Sequence, residues 1–124
     1  QTGISKNDIN AAADSFKDYH AAISNHNFNK AYSMMTPNRK KGMGSLDQFA
    51  AGYANTLDSD VTDVRYVSSE DNEIVLKYRL KSRDRANNGR TLVQIFDGQA
   101  HMFNLNGKWC VGYTEARKVN ESYE

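Results

Sequence analysis

The chain has 124 residues and carries 16 Lys and Arg against 15 Asp and Glu, a formal net charge of +1. That length suits one domain, and the charge balance speaks against a dedicated nucleic-acid binder, which would be far more basic. No apolar run approaches the roughly 18 residues that cross a bilayer, and the single cysteine, Cys110, excludes an intrachain disulfide or a thiolate metal cluster.

Leu, Ile, Val and Phe are scarce, but the low net charge and strong apolar patterning point to an ordered domain with a thin core. The 7 tyrosines are expected to supply part of that core. The chain begins at Gln1 rather than Met. A segment upstream is therefore expected, and a cleaved signal or a chosen boundary would each explain it.

Ser5-Lys6-Asn7-Asp8 reads as a capping box with Asp in its fourth position. Ile9, Ala12, Phe16, Tyr19 and Ile23 then form one apolar stripe, so a first helix is predicted to about Asn25. Asp14 and Asp18 lie off that stripe and should face water. His26-Asn27 is a break. Phe28, Ala31, Tyr32 and Met35 mark a second helix, which Pro37 is expected to end. Arg39 to Gly44 reads as a basic connecting loop. Ser45 then caps a third helix, with Gln48 closing its capping box. Leu46, Phe49, Ala50 and Tyr53 are its buried face, and Gly52 is expected at a close helix contact.

From Thr56 the period changes to two. Val64 and Tyr66 are placed on one face of a first strand. Ile74, Leu76, Tyr78 and Leu80 alternate with Val75, Lys77, Arg79 and Lys81 in a second, so one face seeks a core and the other water. Asn88-Gly89 marks a tight hairpin. A long third strand runs from about Arg90 to Leu105, with Asp97-Gly98 read as a bulge. Asn106-Gly107 is a second hairpin turn. Trp109, Val111 and Tyr113 then share a face of the last strand, with Cys110 on the other. Residues 120–124 read as a frayed tail beyond a core of about 7–119.

The order is helices first, then antiparallel strands, an α+β domain. Ala31-Tyr32-Ser33-Met34-Met35, Gly44-Ser45, Phe49, Gly52-Tyr53, Thr56 and Asn106-Gly107-Lys108-Trp109 together resemble the NTF2-like (cystatin-like) superfamily. In particular they resemble its small domains in bacterial extracytoplasmic proteins, including lipoproteins and cell-envelope proteins. The resemblance implies three N-terminal helices on a curved antiparallel sheet of about four strands, curled into a cone. It also implies an extracytoplasmic location: secreted, periplasmic or membrane-anchored through an upstream segment. Some members of the superfamily are isomerases, dehydratases or cyclases. Others bind a ligand, dimerise or serve as spacers, so fold alone does not choose.

An enzyme of that kind needs a buried carboxylate or His as base and a donor for the developing enolate. Asp97 reads as a bulge residue and Asp63 as a solvated one. His20 adjoins Tyr19 at the edge of the first stripe, and His26 sits in the break. His101 alternates with Phe103 and Leu105 and is expected to point inward. If the domain is an enzyme, His101 and Tyr53 are the expected working pair. The histidines are not at metal-ligand spacing, and neither a metal nor a cofactor is expected.

Tyr19, Tyr32, Tyr53 and Tyr78 all fall on predicted core-facing sides. With His101 they are the expected lining of a ligand pocket for a small hydrophobic or polar-aromatic molecule. Lys77, Arg79, Lys81, Arg83 and Arg85 form a basic row at every second position, the expected contact for an anionic envelope polymer if it is more than a solvated face. The reading reached is a non-enzymatic binding module for a small ligand or an envelope partner. A His–Tyr enzyme and a scaffold that dimerises through its sheet are the alternatives.

Overall fold

The computed structural model describes residues 4–124. Ser5 caps the first helix as its sequence requires: its hydroxyl accepts from Asp8 N–H while the Asp8 carboxylate accepts from the Ser5 N–H. That helix, α1, spans Lys6–Ser24 and buries Ala12, Phe16, Tyr19 and Ile23. Asp14 and Asp18 face water. Two short helices follow, α2 (Phe28–Ser33) and α3 (Pro37–Met43), and then α4 (Leu46–Ala51) behind the Ser45–Gln48 capping box.

The helix α3 corrects the expectation of a basic loop over Arg39 to Gly44. Pro37 does not merely end a helix; it occupies the first turn of the next one, where its missing N–H costs nothing. Thr36 caps that helix by accepting from Arg39 N–H at 3.2 Å. Gly52 is also corrected. A Cβ there would meet the Phe49 carbonyl at 3.4 Å and the Gln48 carbonyl at 3.9 Å, ordinary contacts, so the position is not crowded.

Four long strands complete the chain: β1 (Thr56–Glu70), β2 (Glu73–Arg85), β3 (Thr91–Leu105) and β4 (Lys108–Tyr123). They form one antiparallel sheet in the order β1-β2-β3-β4. Asn106 and Gly107 both have left-handed φ, 57° and 85°, as a two-residue hairpin turn demands. At Asn88-Gly89 only Gly89 is left-handed, and the connection is a wider loop closed by Ala86 N–H to the Arg90 carbonyl.

The predicted frayed tail is strand. Leu92 pairs with Tyr123 and Val93 with Ser122, because a β3 of 15 residues needs a partner along its length. The bulge expected at Asp97-Gly98 lies elsewhere too. The β2–β3 register is unbroken there, Tyr78 facing Gly98 and Arg79 facing Asp97. The extra residues sit on β4, one between Val111 and Tyr113 and one between Lys118 and Asn120. Gly98 instead permits close approach: a Cβ would fall 2.6 Å from the Glu115 carbonyl and 2.9 Å from the Tyr78 hydroxyl.

The strand β1 carries three register irregularities, and Asp63 at one of them has φ 58°. Tyr66 lies opposite the core residue Leu76 and so keeps the side on which Val64 packs. Val64 packs on the core, while Tyr66 is exposed and hydrogen-bonds Ser69. The helices cover one side of the sheet, α1 lying mainly on β1 and β4. Between the layers are Phe16, Tyr19, Ile23, Met35, Ile74, Leu76, Met102, Trp109 and Val111. The outer side of the sheet carries the alternate residues of each strand.

Candidate ligand-binding site

The α1 stripe puts Tyr19 in the core beside His20, and β2 brings Tyr78 to the same place. His20 lies edge-on to Phe16 at 4.9 Å and to Tyr19 at 5.1 Å, and Phe16 meets Tyr78 at 4.7 Å. Both tyrosines are almost fully buried. Tyr53 is half-buried, stacked on Phe28 and edge-on to Phe49. Tyr32, also half-buried, donates to the Gly44 carbonyl at 2.8 Å. The four tyrosines therefore do face the core as expected. Tyr19 and Tyr78 are packed against Phe16 and His20 rather than arrayed around an open space.

Burial sets the proton chemistry of this interior. His20 shares a hydrogen bond with Ser59 Oγ at 3.0 Å. Desolvation, helped by the nearby Arg39 cation, lowers its imidazole to about 3. It is neutral near pH 7 and a feeble base there. Burial likewise pushes the Tyr53 phenol up to about 12, with the Tyr19 phenol adding to the rise.

His101 does not join this group. It sits opposite Val75, between the Ile74–Met102 and Leu76–Ala100 pairs that enter the core, so it faces the outer side of the sheet. There Nδ1 meets Glu73 at 2.6 Å and Nε2 meets Glu115 at 3.4 Å, and the ring stacks on Tyr113 at 3.9 Å. The expectation that His101 points inward is corrected, and the sheet separates it from Tyr53. The cause is register: with no bulge at Asp97-Gly98, the alternation from Met102 runs straight through.

The basic row is one face, as predicted, but it is partly neutralised. Arg79 grips Asp97 through two bonds, at 2.7 and 2.9 Å, and Arg83 pairs with Asp58 and Glu124. Lys77, Lys81 and Arg85 have no ion-pair partner among the described residues. Asp97, read as a bulge residue, is thus an ion-pair partner, and Asp63 is exposed as expected beside Arg65.

One group was missed by the sequence reading. Arg39, taken as part of a loop, lies on α3 with its guanidinium over the Tyr19 ring, 5.6 Å from the centroid. Nη2 donates to Tyr19 Oη at 3.3 Å, and Nε is buried without a hydrogen-bond partner. No carboxylate among the described residues pairs with it. Thr36-Pro37, a cap followed by a first-turn proline, was the signal that could have placed it.

Arg39 also borders a hollow of 510 Å³ between the first turn of α3 and the β3–β4 hairpin. Pro37 and Asn38 form one wall, and Phe103, Leu105 and Tyr113 another. Gly112 lets the hairpin wall form, since a Cβ there would lie 2.3 Å from the Phe103 ring. An apolar recess of this size with a few polar groups at its rim suits a small molecule. Among the described residues, no group of three or more His, Cys, Asp and Glu could hold a metal ion.

A helical layer on one side of a four-stranded antiparallel sheet has counterparts among solved structures. A scytalone dehydratase-like protein of Novosphingobium aromaticivorans matches with a TM-score of 0.70 at 11% identity, over 91% of this chain and 85% of that one. The chain has the NTF2-like fold. A calcium/calmodulin-dependent protein kinase II association-domain protein of Xanthomonas campestris matches this chain at TM-score 0.62 and 13% identity, over 84% and 82% of the two chains. The corresponding hub homology domain of Chlamydomonas reinhardtii matches at TM-score 0.62 and 15% identity, over 89% and 97%. No family model matches the sequence, and no curated protein does.

Proposed function

We propose that this NTF2-like domain is a non-enzymatic binding module of an extracytoplasmic protein, with a small molecule as its ligand. The observation that carries the reading is the split between the two places where chemistry was sought. The interior holds its tyrosines in packed aromatic contact, and its one histidine titrates near 3, too low for a general base at neutral pH. His101 lies across the sheet from Tyr53, and His26 is exposed with its ring nitrogen bonded to the Thr56 carbonyl. The recess at α3 and the β3–β4 hairpin is accessible and mostly apolar. A fragment screen by protein-observed NMR tests this. Binders should perturb Phe103, Leu105 and Tyr113 without being turned over. Conversion of an added isomerase or dehydratase substrate, lost on His20→Gln, would overturn the reading.

Self-association is a second reading. Leu105 and Tyr113 are exposed on the outer side of the sheet, and two structural neighbours are described as association or hub domains. Light scattering over a range of concentrations tests it: a constant monomer mass rejects it. Lys77, Lys81 and Arg85 remain the part of the basic row available to an anionic envelope polymer, a contact that would accompany either reading.

A further inference from the structure

A neutral imidazole has one N–H and can donate to one carboxylate; the imidazolium has two and can donate to both. His101 has a carboxylate at each ring nitrogen, Glu73 at 2.6 Å from Nδ1 and Glu115 at 3.4 Å from Nε2. The geometry therefore holds a place for one more proton than a neutral ring brings. Glu73 belongs to β2 and Glu115 to β4, so that proton decides whether the β3 histidine ties one neighbouring strand or both. The short contact keeps Nδ1–H on Glu73. The longer contact, to a Glu115 side chain 66% exposed, is the one that the second proton makes. The same ring stacks on Tyr113, with centroids 3.9 Å and planes 11° apart, and a cation over an aromatic face is held by the ring's quadrupole. Tyr113 directly follows Gly112, the extra residue at a β4 register irregularity, and is a wall of the 510 Å³ recess.

We infer that His101 is a proton-operated clip on the outer side of the sheet: with the second proton it joins Glu73 to Glu115 and holds Tyr113 against its face, and without it Glu115 and Tyr113 are released. Through Tyr113 the clip sets the shape of the recess, a consequence that rests on the binding-module reading. The surrounding charges come from every strand. The strand β2 brings Glu73 and, opposite Gln99, Lys77; β4 brings Glu115 and, opposite Asp97, Arg117, besides the Tyr113 phenol. On β3 itself Asp97 is held by Arg79. Across β2 lie Glu70 of β1, opposite Glu73, and Arg65, opposite Lys77. Arg39 of α3 turns its guanidinium to Tyr19 instead.

Histidine side chains change charge between roughly pH 5 and 8. NMR of the intact chain across that range follows His101 through its ring signals and Tyr113 through the three-bond couplings that report its χ1 angle. Tyr113 should occupy one rotamer while the His101 ring carries both protons and average over rotamers once one is lost, the two changes following a single curve. A second ring N–H signal should accompany the extra proton, and Glu115→Ala should lose that signal by exchange with water. His101→Gln should leave the Tyr113 couplings flat with pH. Circular dichroism establishes that each variant is folded, and the wild-type couplings need no variant. Tyr113 couplings that ignore the His101 titration, or whose pH response survives His101→Gln, would overturn the inference. So would a His101 ring that keeps one protonation state throughout, or a second N–H signal indifferent to Glu115→Ala. None of these results involves a ligand, so they leave the binding module standing, whereas a fragment screen without a binder removes that module and leaves the clip.

Discussion

The interior beneath α1 and the recess beside α3 contain the same kinds of side chain, aromatic rings with a few polar groups, and treat them oppositely. In the interior the rings meet one another: Phe16 touches Tyr78, and His20 touches both Phe16 and Tyr19. His20 is paired with Ser59, and desolvation keeps it neutral. At the recess Tyr113 is 52% exposed and Leu105 39%. Rings packed on one another stabilise the fold; apolar side chains left exposed around an opening are available to something outside it. The difference locates the binding surface more firmly than the identity of any one residue does.

The largest expected effects belong to the closed side. Trp109→Ala should cost about 3–5 kcal/mol by opening a cavity at a nearly buried site. An unchanged melting temperature would show that this side is not tightly packed. Gly98→Ala should destabilise by roughly 1–3 kcal/mol, because the added methyl meets the Glu115 carbonyl and the Tyr78 hydroxyl below contact distance. Chemical denaturation reads both.

The next effect is one of pH. Free histidine titrates near 6.5, and folded His20 near 3. Between those values the unfolded chain binds a proton that the folded chain refuses, so the His20 contribution is complete above about 6.5 and is lost as pH falls toward 3. Melting temperatures of the wild type should therefore fall more steeply than those of His20→Leu over that window. Parallel profiles would mean that the interior admits water, and the contrast with the recess would fail.

On the outer face the changes should be small. Reversing Arg79 and Lys81 to Glu removes one exposed ion pair and should leave the melting temperature nearly unchanged. It should weaken retention on an anionic polysaccharide column if the remaining cations serve that partner. Gly52→Ala should change stability by about 0.5 kcal/mol or less, since its Cβ meets nothing closer than 3.4 Å.

The sequence displayed those parts of the fold that local chemistry controls. The Ser5 and Ser45 capping boxes, the α1 stripe, the β2 alternation and the Asn106-Gly107 turn each depend on residues a few positions apart. What it hid depends on partners far along the chain. Gly98 looked like a bulge because its true neighbours, Tyr78 and Glu115, come from two other strands. Reading that bulge into β3 turned His101 inward by one register step, and the pocket drawn around it followed the error. The tail after Val119 looked frayed because its polar residues pair with β3, not with a core. The tyrosines of the expected pocket were placed on their correct faces, but only tertiary packing shows that Tyr19 and Tyr78 fill the space rather than line it. Arg39 was hidden by a different cause: Pro37 was taken as a stop when, after Thr36, it begins a helix.

Side-chain NMR of the intact domain during titration with an apolar fragment from the screen measures the contrast between interior and recess most directly. The account predicts progressive, saturable shifts at Phe103, Leu105 and Tyr113, with Phe16, His20 and Tyr78 unmoved. Shifts centred on Phe16, His20 and Tyr78, with the recess silent, would contradict it.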